Sequence, residues 1–205
     1  MYAIVHHQDY DEVLLGPVEW KPRFIASVIQ QDLDLPNAPS ISVANEVNVP
    51  YEIYPSVWAY KVNTVYPDIN TKIQRVDGPF WTFENQVATA TYTAADKSVD
   101  QVKGELKNVV ATKRYELENA GTTVTVQGVT VPVSTSRADR ATYTTAIAGP
   151  WKFSNGTWLT LTQEDLNTIL TAIQTYVSNA FIWEQTLCAT IDAATDLTTL
   201  NSIEI

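Results

Sequence analysis

The stretch TQEDLNTILTAIQTYVSNAFIWEQTLCATIDAA, residues 162–194, restricts the folds open to this chain more than any other part of it. Leu166, Ile169, Leu170, Ile173, Val177, Ala180, Phe181, Leu187 and Ile191 return at the spacing of one helix face. Thr162 stands where an N-cap belongs, and Glu164 and Asp165 fill the first turn, where the helix dipole favours acids. The spacing predicts one helix about 45 Å long, at about 1.5 Å per residue. TDLTTLNSIEI follows as a short helical turn.

SVDQVKGELKNVVATKRYELENAG, residues 98–121, spells a second helix of about six turns. Ser98 with Gln101 forms a capping box, Gly121 marks the stop, and Val99, Val102, Leu106, Val109, Val110 and Leu117 make the apolar stripe. Folding TTVTVQGVTVPV about Gln127-Gly128 puts its valines on one face and its threonines on the other. Gln127 is a poor residue for a primed turn, which leaves room for a longer loop. Pro132 then falls at a non-hydrogen-bonded position, as on an edge strand. In VPVSTSRADRATYTTAIA, Ser134, Thr135 or Ser136 caps a further helix that carries Arg137 and Arg140. In WKFSNGTWLTL, Asn155-Gly156 predicts a type I′ hairpin with Phe153 opposite Trp158 and Trp151 on the same face.

Residues 1–96 read as strands and loops rich in proline and aromatics. MYAIVHH and EVLLGPVEW are two short strands interrupted by the turn residues DYD and GP. KPRFIASVIQQDL is a helix from Pro22 with Phe24, Ile25, Val28, Ile29 and Leu33 on one face. Extended pieces follow at ISVANEVNV, YEIY, VWAYKVNTVY and TKIQRV, with TFENQVATATYT as a longer strand. The aromatics, among them Trp20, Trp58 and Trp81, suit core and subunit-interface packing, or alternatively a sugar-stacking surface. His6 and His7 are adjacent, so on a strand they point to opposite faces and do not chelate one metal together.

Charge excludes some partners and suggests others. The formal net charge of -10 argues against nucleic acid, which demands a basic face. No stretch reaches the roughly 20 apolar residues of a membrane span, and MYAIVHHQDYDEV lacks the basic start and apolar centre of a signal peptide. Residues 97–152 hold eight Lys and Arg against five acids, whereas 153–205 hold six acids and no Lys or Arg. The two segments are thus complementary, within one subunit or between neighbours, and Arg137 and Arg140 are expected against acids or carbonyl ends of the long helix. Two N-terminal histidines and a lone Cys188 in a helical stripe give no material for Ser-His-Asp or Cys-His catalysis. GxxxxGK[ST] and GxGxxG are absent. Glu19, Glu52, Asp68, Asp77 and Glu84 are available for sugar hydrolysis, but nothing singles out a pair. Neither an enzyme nor a cofactor is expected.

From about residue 97 the order is a Lys-rich helix ending in KRYELENAG, a hairpin around VTVQGVTVPV, STSRADR opening a helix, WKFSNGTWLTLTQEDL, and a long helix finishing in IDAATDLTTL. That order resembles a domain of unknown function found near the C-termini of many tailed-phage tail and tail-fibre-associated proteins. The resemblance implies a structural role in a virion, in the tail, baseplate or fibre attachment. It also implies other phage proteins as partners, a homo-oligomer, and arginines facing outward to a neighbour; a fibre assembly chaperone and a host-surface glycan-binding module are the alternatives. The expected fold is α+β, with a β-rich docking region over 1–96 containing one short helix, and a helical domain with two short hairpins over 97–205. Arg137, Arg140, Trp20, Trp58 and Trp81 are the candidate interface residues.

Overall fold

The computed structural model describes residues 1–7, 11–41, 50–84 and 87–205 of an α+β chain. The chain divides into two compact units, Met1–Asp96 and Lys97–Ile205. The expected DYD turn and most of the ISVANEVNV piece lie outside the described residues.

The first unit is one sheet with one helix. Its strands are β1 (Tyr2–His7), β2 (Asp11–Val18), β3 (Tyr51–Tyr54), β4 (Val57–Val65), β5 (Gln74–Glu84) and β6 (Val87–Asp96), and its helix is α1 (Pro22–Asp32). The strand order is β2-β1-β4-β6-β5, with β3 also paired to β4. Every pairing is antiparallel except β4 with β6. Side chains alternate across a strand, so Ile4, Val57 and Ala59 pack with Ile25 and Ile29 of α1, while Ala3, Val5, Val62, Ala88 and Ala90 form the opposite face. Three expectations need correction. Gly16-Pro17 is no turn, since β2 runs through it with Leu15 and Val18 both paired to β1. Phe24 points to solvent, because Ile25, Ala26 and Ile29 are the residues buried on α1. TFENQVATATYT is not one strand but folds back on itself, with Phe83 opposite Ala88 and Thr82 opposite Thr89.

The second unit is built along its longest helix. Its elements are α2 (Val99–Asn119), β7 (Thr122–Val126), β8 (Val129–Val133), α3 (Arg137–Thr145), β9 (Gly149–Lys152), β10 (Trp158–Leu161), α4 (Gln163–Ala193) and α5 (Leu197–Ser202). Thr162 and Asp165 cap α4 reciprocally. Ser98 accepts from the Gln101 N–H to start α2, and the Gly121 N–H donates to buried Thr135 just past its end. Val124, Val126, Val131 and Val133 from one face of the β7–β8 hairpin join Leu166, Ile169, Ile173 and Val177 of α4 in a single core.

The first hairpin has the register expected from its valines, and the second does not. Gln127 and Gly128 make a tight turn, both with positive φ (53° and 76°), and Val126 pairs directly with Val129. The Gln127 amide reaches the Thr160 carbonyl at 2.9 Å and Asp165 at 2.7 Å, and those two bonds hold an unfavourable turn residue in place. The second hairpin has the longer loop. Phe153 and Thr157 close it, Gly156 alone takes a positive φ (86°), and the Asn155 side chain accepts from the Thr157 N–H. Trp158 therefore stands opposite Lys152, not Phe153. One residue of register moves a side chain to the other face, leaving Phe153 buried and Trp158 63% exposed, with Lys152 over its ring.

Candidate functional site

The sequence-predicted residues fall into two places. In the second unit, α3 and α4 form the walls of an open groove of about 490 Å3, with Glu118 of α2 at its end. Arg137 and Arg140 come from α3, and Leu170, Ile173 and Phe181 give the α4 side an apolar lining. Ser136 caps α3 by accepting from the Asp139 N–H, and both Ser134 and Ser136 donate to the Asp139 carboxylate, holding it below the usual range. That clasp fixes where α3 begins, and hence where the two arginines emerge.

Charge inside the groove is arranged around a buried acid. Glu118 is 6% exposed, accepting from Arg140 on one oxygen at 2.5 Å and from Arg114 on the other at 2.6 Å. Arg114 also donates to Glu184 of α4 at 3.1 Å, with its guanidinium 4.8 Å from the centre of the Phe181 ring. Burial pushes the Glu118 carboxyl up, but the hydrogen bonds and charge of Arg140 and Arg114 outweigh it, leaving the group below its ordinary 4.5. The Nε of Arg140 is buried with no acceptor.

The expected contacts of the two arginines are corrected accordingly. Arg140 turns inward to Glu118 of α2 and not to the long helix, and Arg137 is exposed at the groove rim with no ion pair among the described residues. The complementarity of sign is realised within one unit by α2: Arg114 pairs with Glu184, Lys107 pairs with Asp192 at 2.5 Å, and Lys103 donates to the Asp192 carbonyl. Glu118 is not among the residues that the sequence marks as candidates. The signal for it was Arg114 and Glu118 at i,i+4 within KRYELEN.

The tryptophans of the first unit do not form one cluster. Trp20 lies with the α1 side of the sheet, edge-on to Tyr2 at 5.2 Å, and its ring nitrogen is buried without an acceptor. Trp58 and Trp81 belong to the other face. There His7 shares a 2.7 Å hydrogen bond with Tyr60 and lies edge-on to Trp58, Tyr60 meets Phe83, and Phe83 stacks on Trp81. Alanines 3, 88 and 90 form the floor beneath these rings. A Cβ built on Gly16 of β2 would lie 3.2 Å from the Trp81 ring, although β2 and β5 are at opposite ends of the strand order, so the sheet is curled around its aromatics. Among the described residues, no group of three or more His, Cys, Asp or Glu is placed to hold a metal ion, and no helix is long and apolar enough to cross a membrane.

The second unit is therefore a helix-and-hairpin module centred on one long helix, with a charged groove on its flank. Residues 101–204 match the domain of unknown function DUF4376, and the chain belongs to that family. Among curated proteins and solved structures, nothing matches the chain.

Proposed function

We propose that the chain is a structural component of a tailed-phage virion, in the tail, baseplate or fibre attachment, acting through protein–protein interfaces. One observation carries this reading: the family-matched unit leaves large apolar side chains in water on several elements. Ile147 is 84% exposed, and Tyr115, Trp158 and Ile182 are exposed as well. Aromatics are enriched in interface cores, and a neighbouring subunit would cover such residues. The resemblance of residues 97–205 to domains of phage tail and fibre-associated proteins supplies the setting. Peptide mass spectrometry of purified particles tests it. The expected outcome is detection in stoichiometric amount; recovery with fibre protein but not in particles would replace the reading with an assembly chaperone.

A second reading draws on the first unit. The ring-lined sheet face that holds Trp58 and Trp81 has the chemistry for stacking on sugar rings, which would make this unit a host-surface glycan-binding module. A glycan array separates the two readings, since binding lost in Trp58→Ala favours the module.

A further inference from the structure

The groove between α3 and α4 offers one cation, Arg137, with no ion pair among the described residues. In the second unit, Lys97, Lys107, Lys113, Arg114 and Arg140 pair with acids, Lys103 reaches a carbonyl and Lys152 lies over Trp158. Arg137 is the remaining one, without such a partner among the described residues, and it stands at the rim of a groove whose α4 wall presents Leu170, Gln174 and Phe181 over the buried Ile173. Both oxygens of Glu118 are already taken by arginines, so the groove's own acid does not neutralise it. The matching chemistry is a carboxylate with a bulky apolar side chain beside it.

The same unit carries that combination once. Most of its acids are engaged: Glu105, Glu116, Glu118, Glu184 and Asp192 in ion pairs, and Asp139, Asp165 and Asp196 by hydroxyls or helix caps. Asp100, Glu164 and Glu204 have no ion pair among the described residues. Of these, Glu204 alone adjoins an exposed large apolar residue, Ile205, at 40% exposure. Ile203 is buried in its own molecule, which anchors the segment, and none of residues 203–205 lines the molecule's own groove.

We infer that the α3–α4 groove of one copy receives the Glu204–Ile205 segment of a second copy, Glu204 against Arg137 and Ile205 against the apolar side chains of the α4 wall, Leu170 or Phe181. Reciprocal exchange closes a dimer, and one-way exchange closes a ring. The inference deepens the interface reading and rests on it only in requiring a self-contact. Particle composition tests the one and self-association the other, so either can fail alone.

Sedimentation of the full chain over a range of concentrations provides the test. The wild type self-associates, more weakly at high salt because an exposed ion pair is screened. Arg137→Glu and Glu204→Arg each raise the dissociation constant roughly tenfold, and combining both in one chain restores association. Ile205→Ser weakens association without altering its salt dependence. Both charged positions are exposed, and far-UV circular dichroism verifies that each variant is folded. A wild type that sediments as a monomer throughout overturns the inference, as do single variants that associate normally or a double variant no better than the singles.

Discussion

In Lys97–Ile205 a charge on one helix is answered on another, Arg114 by Glu184 and Lys107 by Asp192, with Arg140 of α3 drawn to Glu118 of α2. In Met1–Asp96 the described ion pairs join sequence neighbours only, Lys21 with Glu19 and Arg75 with Asp77, and distant segments meet through packing, aliphatic side chains against α1 on one face and rings over alanines on the other. The difference separates two ways of fixing a fold. Ion pairs and caps are directional, so they set the order and sliding of helices along α4. Rings over a floor of alanines are set by shape, so they fix how far a sheet curls. Each makes a distinct prediction about what breaks it.

The largest effect is expected at Glu118. Glu118→Gln removes the carboxylate that two arginines share, and it should cost about 2–3 kcal/mol at neutral pH. That is near the low end for a broken buried pair, because both arginines keep some access to water. The pH dependence has a definite sign. With the folded group lowered below 4.5, its contribution is fully present above that value and is lost as pH falls through the folded pKa. Denaturation profiles of wild type and Glu118→Gln should therefore converge as the pH drops below about 4.5. A gap that stays constant into strong acid would show that the loss in Glu118→Gln does not come from the charge of the carboxylate.

Much of the directional half was legible in the sequence. Ser98, Thr162 and Gly121 announce helix ends because capping uses local chemistry, readable within four residues. The Val–Thr alternation of β7 and β8 fixed their register for the same reason. The groove was half legible: STSRADR placed both arginines at a helix start, yet the partner of Arg140 lies 22 residues away on α2, and the i,i+4 spacing of Arg114 and Glu118 does not show that a second arginine joins them. The first unit was less legible still. Its parallel pairing of β4 with β6 and the reach of Trp81 to Gly16 depend on contacts between distant segments. The face of Trp158 is not legible in WKFSNGTWLTL, because one residue of loop length reverses a face and Asn-Gly occurs in both kinds of turn.

An intermediate effect is expected at Gly16, where the shape argument is most exposed. Gly16 has φ +153°, and a Cβ there would lie 3.0 Å from the Ala3 Cα and 3.2 Å from the Trp81 ring. Gly16→Val should destabilise the chain by about 2 kcal/mol through overpacking and backbone strain. Trp81→Leu in the same chain should recover part of that loss, a non-additivity that denaturant titration of the four combinations measures. Strict additivity would mean that the curl of the sheet does not depend on this contact.

The smallest effect tests whether side-chain bonds can hold a turn that backbone preference resists. Gln127 has φ 53°, a conformation that non-glycine residues adopt at some cost, and its amide bonds to Thr160 and Asp165 lie at the protein surface. Gln127→Ala loses the bonds and keeps the strain, so it should cost about 1 kcal/mol. Gln127→Gly loses the same bonds but relieves the strain, and should lie close to the wild type. Thermal denaturation of the pair separates the two contributions. If alanine proves as stable as glutamine, the bonds from the hairpin tip to the start of α4 add nothing. The β7–β8 turn would then be held, like the sheet of the first unit, by packing alone: Val124, Val126, Val131 and Val133 against the long helix.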